Sequence, residues 1–175
     1  MKKLLSLLGL ALALTAVAPA AMQAQNTLKS LEGKWKTSLE EEATVILSLK
    51  EEGALEFGII AEIEEDDGAV VVSMGGTWTF TPSPEGPGLG ILEITPTAED
   101  FSFEYLGSNA EMKAFFALFS ESQKLELGKS MAQDIEDKQF LVVDVNDETL
   151  TVREIDEDGN VDEETEPQVF ERAQQ

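Results

Sequence analysis

Residues 54–64 read Ala-Leu-Glu-Phe-Gly-Ile-Ile-Ala-Glu-Ile-Glu. Leu55, Phe57, Ile59, Ala61 and Ile63 occupy alternate positions, with Glu56, Glu62 and Glu64 between them. Side chains alternate faces along an extended chain, so the stretch predicts a strand with one apolar and one charged face. Upstream, Thr44 to Lys50 alternates in the same way, with Val45, Leu47 and Leu49 directed inward. Glu51-Glu52-Gly53 joins the two strands as a hairpin.

The period of two continues along the chain. Further strands are expected over residues 69–80, 89–95, 101–105, 139–145, 149–155 and 168–172. Gly75-Gly76 should bend or bulge the first of these. The Pro- and Gly-rich run from Thr81 to Gly88 reads as a loop. Hairpin-linked strands at regular spacing predict an antiparallel sandwich or barrel. No strand–helix–strand alternation points to a parallel sheet.

Residues 108–137 break the pattern. Ser108 and Glu111 have capping-box spacing. Met112, Phe115, Phe116 and Phe119 then fall on one helical stripe. A second helix is expected over residues 121–136, with Leu125, Met131, Ala132 and Ile135 inward and Gly128 as a weak point. The following Phe140-Leu141-Val142-Val143 is apolar on both faces, and the helical insert is its expected cover.

The amino-terminal residues have the three-part layout of a secretory signal: Lys2-Lys3, a Leu/Ala run, and Ala18-Pro19-Ala20. Residues 1–20 are therefore expected to be a signal peptide, cleaved after Ala20 or alternatively after Ala24. The apolar run is shorter than the roughly 20 residues of a spanning helix. Residues 21–175 then form one domain in the periplasm or outside the cell. The chain has no cysteine, which excludes a disulfide and a bacterial amino-terminal lipid anchor. A net charge of −23 disfavours nucleic acid and anionic membranes. Neither nucleic-acid binding nor membrane insertion is expected, and the chain reads as a monomer.

Leu31-Glu32-Gly33-Lys34-Trp35 sits just past the apolar leader, with Gly33-x-Trp35 at the entry of a first strand. Gly33-x-Trp35 followed by an antiparallel meander resembles the lipocalin superfamily and its bacterial lipocalin-like relatives. Gly76-Thr77-Trp78 repeats the form, and Val169-Phe170-Glu171-Arg172 supplies an aromatic and an arginine in a last strand. The resemblance implies a mostly-β, antiparallel up-and-down barrel of eight or nine strands with a helical insert. It also implies that Trp35 plugs the narrow end and that Arg172 packs over it, making Gly33, Trp35 and Arg172 the structural motif. The chain departs from the family in placing its helices between strands and in lacking the family's disulfide.

Chemistry is sparse. Without histidine or cysteine the commonest general base, the thiol nucleophile and the usual zinc and haem ligands are missing. Gly128-Lys129-Ser130 lacks the upstream glycine of a phosphate loop, and reads as helix surface. Composition leaves a two-carboxylate glycosidase open. Most acids, however, lie in runs (Glu40–Glu42, Glu64–Asp67, Asp156–Asp158) that read as solvated turns. A weak calcium loop is conceivable at Asp156, Asp158, Asn160 and Asp162, with Gly159 at the turn. Its twelfth place is Thr165 rather than glutamate, so an acidic hairpin is the preferred reading.

The chain is thus read as a non-enzymatic, cofactor-free binding protein that holds a small apolar ligand inside the barrel. Leu55, Phe57, Ile59, Trp78, Phe80, Phe115 and Phe119 are the expected cavity lining, the last two from the insert acting as cap or lid. The rival reading is a cell-envelope interaction module that uses its acidic surface and has no cavity.

Overall fold

The computed structural model describes residues 24–39, 43–63, 68–83, 88–136, 138–156, 160–161 and 166–174. The expected signal peptide lies outside the described residues. Helix α1 covers residues 24–31. Strands β1 (Gly33–Leu39), β2 (Ala43–Leu49), β3 (Ala54–Ile63), β4 (Gly68–Pro82) and β5 (Gly90–Leu106) follow. Helices α2 (Ala110–Phe116) and α3 (Glu121–Glu136) precede β6 (Gln139–Val145), β7 (Thr149–Ile155) and β8 (Gln168–Arg172).

The eight strands form a closed antiparallel barrel in chain order, β8 pairing with β1. Each strand pairs with its sequence neighbour, as the hairpin pattern requires. The register places Leu47 opposite Phe57 and Leu49 opposite Leu55, so the alternating apolar positions meet on the inner face. Val45, Leu47, Leu49, Leu55, Trp78, Leu92 and Ile94 are buried there. Among the described residues no polar or charged residue is buried. That distribution suits a chain whose acids all have water to face.

Two expected strands, 89–95 and 101–105, are one strand. β5 runs unbroken through Pro96, Glu99 and Asp100. The register shifts where Ser73 to Gly75 of β4 faces Thr97 to Ser102 of β5. Pro96 stays paired with Gly76, and the extra residues between Thr97 and Ser102, Glu99 and Asp100 among them, form a bulge that ends neither strand. The bend expected at Gly75-Gly76 falls at this shift.

The insert is helical over the expected residues, but its caps differ. Asn109, not Ser108, caps α2: its Oδ1 accepts from the Glu111 and Met112 amides at 2.9 and 3.2 Å. The capping box belongs to α3 instead. Ser120 Oγ accepts from Gln123 N, and Gln123 Oε1 accepts from Ser120 N at 3.0 Å.

The insert also covers a different strand from the one expected. Phe116 and Phe119 pack on Phe103 of β5, with ring centroids 5.2 and 4.8 Å away. Gly128 is buried where α3 meets β5: a Cβ there would lie 2.6 Å from Phe101 Cβ and 2.7 Å from Ala98 O. Gly128 is therefore a close-packing point, and not a piece of helix surface. The outward Leu141 of β6 is buried, and lies close to the turn at Gly88. The insert goes to β5 because the ring-bearing residues Phe101, Phe103 and Tyr105 offer it more apolar area.

Candidate functional site

One end of the barrel is shut by residues from both ends of the fold. Trp35 is fully buried, and its indole Nε1 donates to Leu31 O at 2.8 Å. The Arg172 guanidinium lies over the indole, with Cζ 4.1 Å from the ring centroid. Its Nη1 donates to Glu32 O at 3.0 Å and its Nη2 to Ser30 O at 2.9 Å. Trp35 and Arg172 thus satisfy three successive carbonyls at the end of α1, groups that a helix terminus leaves without partners. A cation is also favoured at that end of the helix dipole. The contact expected between Trp35 and Arg172 is present.

The same geometry explains Gly33. Its φ of +146° disfavours a side chain, and a Cβ would run into Arg172 Nη1. A glycine two residues before the tryptophan lets the arginine cross the backbone and reach the helix. Trp78 plays a lesser part, donating from Nε1 to Lys50 O at 3.0 Å and tying down the β2–β3 turn.

On the other side of Trp35 the interior is not filled. A cavity of about 180 Å³ is lined by Leu39, Val45, Leu47, Phe57, Leu92, Ile94, Phe140, Val152 and Phe170. Thr37 and Gln168 are the polar side chains among its described lining. Its volume is of the order of the apolar cavities, roughly 150 Å³, that take up benzene.

Of the expected lining residues, the structure places Phe57 on this cavity. Leu55 and Trp78 are packed into the solid core, and Ile59 and Phe80 lie against it. Phe80 packs over Gly90, where a Cβ would meet its ring. Phe115 is 53% exposed, and Phe119 is turned onto Phe103. Neither Phe115 nor Phe119 lines the cavity, and the insert covers β5 rather than closing over the cavity. Sequence reading missed Leu92, Ile94, Phe140, Val152, Gln168 and Phe170. Their alternation marks them as inward, but alternation carries no measure of the space left between facing side chains.

The calcium candidate resolves only in part. Asp158 and Asp162 lie outside the described residues. Asp156 Oδ1 accepts from Asn160 N at 2.7 Å, and Asp156 N donates to Asn160 O at 2.9 Å. These bonds are those of a hairpin end, continued by the Ile155–Val161 bridge. Among the described residues no cluster of three acids gathers to hold a metal. Among them, too, no helix is long and apolar enough to cross a membrane. No family model and no curated protein matches this chain.

Proposed function

We propose that the protein is an exported, non-enzymatic binding protein that holds a small, neutral, apolar ligand in the barrel. The carrying observation is the apolar cavity beyond the Trp35–Arg172 closure. Its volume suits about six to eight heavy atoms, since it slightly exceeds the roughly 150 Å³ that takes up benzene. A neutral ligand is favoured because the net charge of −23 repels anions and the described lining offers no acid to a cation.

Hexan-1-ol is a suitable probe. At about 0.8 kcal/mol per buried methylene, six carbons give roughly 5 kcal/mol. That corresponds to a dissociation constant on the order of 0.2 mM. Calorimetric titration should find one site of this strength. Val152→Phe, which fills the cavity from its wall, should weaken binding at least about tenfold. Equal binding by the variant, or none by the parent chain, would remove the proposal.

Export carries its own test. Cleavage after Ala20 leaves α1 whole, and α1 ends on the fully buried Leu31. Amino-terminal sequencing of protein recovered outside the cytoplasm should begin at Ala21. A chain that still begins at Met1 would refute export with processing.

A second reading, an interaction module, draws on the exposed Phe115 and Leu118, the latter 78% accessible. It gains if hexanol fails to bind.

A further inference from the structure

The barrel wall carries a second hollow on its outer face, away from the interior cavity. It extends over β1 to β4 and has a volume of about 680 Å³. Its cause is visible in the sequence. Gly58 and Gly75 present no side chain there, and Ser48 and Ser73 present only short ones. Ile46, Ile60 and Val71 supply apolar surface.

The hollow has two walls. On one side the β5 bulge brings Asp100 over Gly75, where a Cβ would stand 2.9 Å from Asp100 Cβ. On the other side stand Lys34 and Lys50. Strand glycines and bulges recur where a ligand or a second backbone comes close.

Charge selects the occupant. Lys50 is paired with Glu56. Neither Lys34 nor Asp100 has an ion-pair partner among the described residues. The opposite walls therefore hold one cation and one anion, neither of them ion-paired among the described residues. A simple anion is repelled by the field of a chain carrying −23. A simple cation gains nothing from Lys34. A ligand of zero net charge with separated ends uses both walls.

The span sets its length. Lys34 and Asp100 stand on strands four spacings apart, roughly 19 Å along the wall at about 4.8 Å each. Side chains reaching inward shorten the gap to be bridged. Four or five extended residues cover roughly 13–18 Å. We propose that this groove binds short peptides with free ends, their carboxylate at Lys34 and their ammonium at Asp100.

The experiment titrates the purified protein with Ser-Ala-Ser-Ala-Ser, followed by amide NMR. At about 10 mM even a millimolar site is occupied. The amides of Gly58, Ser73 and Gly75 should shift. The acetylated and amidated peptide should bind roughly 1.5- to fivefold more weakly per end neutralised, the range of an exposed ion pair. Gly58→Leu supplies the decisive variant. A Cβ on Gly58 meets nothing closer than Val72 O at 3.4 Å, and its φ is not positive, so the barrel tolerates the change. The leucine fills the groove, and peptide binding should disappear while the melting temperature and hexanol binding stay. Absence of shifts, equal shifts from the blocked peptide, or shifts confined to the interior cavity would overturn the proposal.

Discussion

Trp35→Ala should lower stability by about 3–5 kcal/mol, the range for deleting a fully buried aromatic side chain. A domain of this kind has only about 5–15 kcal/mol in total. The change empties the closed end, leaves Leu31 O without its 2.8 Å donor and takes the ring from beneath Arg172. Trp35→Phe should lose less, because the packing remains while the indole donor goes. Arg172→Met should cost about 2–3 kcal/mol through the unpaired carbonyls of Ser30 and Glu32. The double variant should fall short of the sum by about 1 kcal/mol or more, since the two side chains touch. Urea denaturation followed by tryptophan fluorescence measures all four. A loss below about 1 kcal/mol for Trp35→Ala would contradict a buried, bonded indole.

Gly128→Ala tests the helical insert by the sign of its effect. On an exposed helix face the substitution should stabilise by about 1 kcal/mol, because alanine is the better helix former. Here the added methyl would sit 2.6 Å from Phe101 Cβ and 2.7 Å from a backbone oxygen. Both neighbours belong to β5, and the oxygen cannot swing aside. Overpacking of this kind costs about 1–3 kcal/mol, enough to reverse the propensity gain. The expected net result is a loss of about 1 kcal/mol, with Gly128→Val worse. A higher melting temperature for Gly128→Ala would show that α3 does not rest on β5.

The barrel was legible because its strands alternate so regularly. Leu55 to Ile63 can bury an apolar face in only one register, and Leu47 and Leu49 answer it across the hairpin. Pro96 and Asp100 misled, because a break in pattern looks the same whether a strand stops or bulges. Ser108 misled for a related reason: Asn109 is an equally good cap one residue later, and sequence spacing does not rank the two. The insert's destination was illegible, since an apolar stripe states that it must be covered without stating by what. The cavity was legible only as a list of inward residues. Whether they meet or leave a void depends on barrel tilt and closure, which no single strand encodes.

Arg172 finds its two carbonyl partners 140 and 142 positions earlier in the chain. That separation has a consequence for timing. A chain emerging amino end first presents α1 and β1 long before it presents β8. Until then the Ser30 and Glu32 carbonyls lack their donors, and β1 carries a bare edge along the side that later meets Trp35↔Arg172 and Lys36↔Glu171. Bare edges recruit other strands, so the interval is one of exposure to aggregation. Contacts of such long range also make closure slow. The few residues from Gln168 to Arg172 therefore close the sheet last. Synthesis that stops short of them yields an open sheet with two sticky margins, whatever the quality of the seven strands already made.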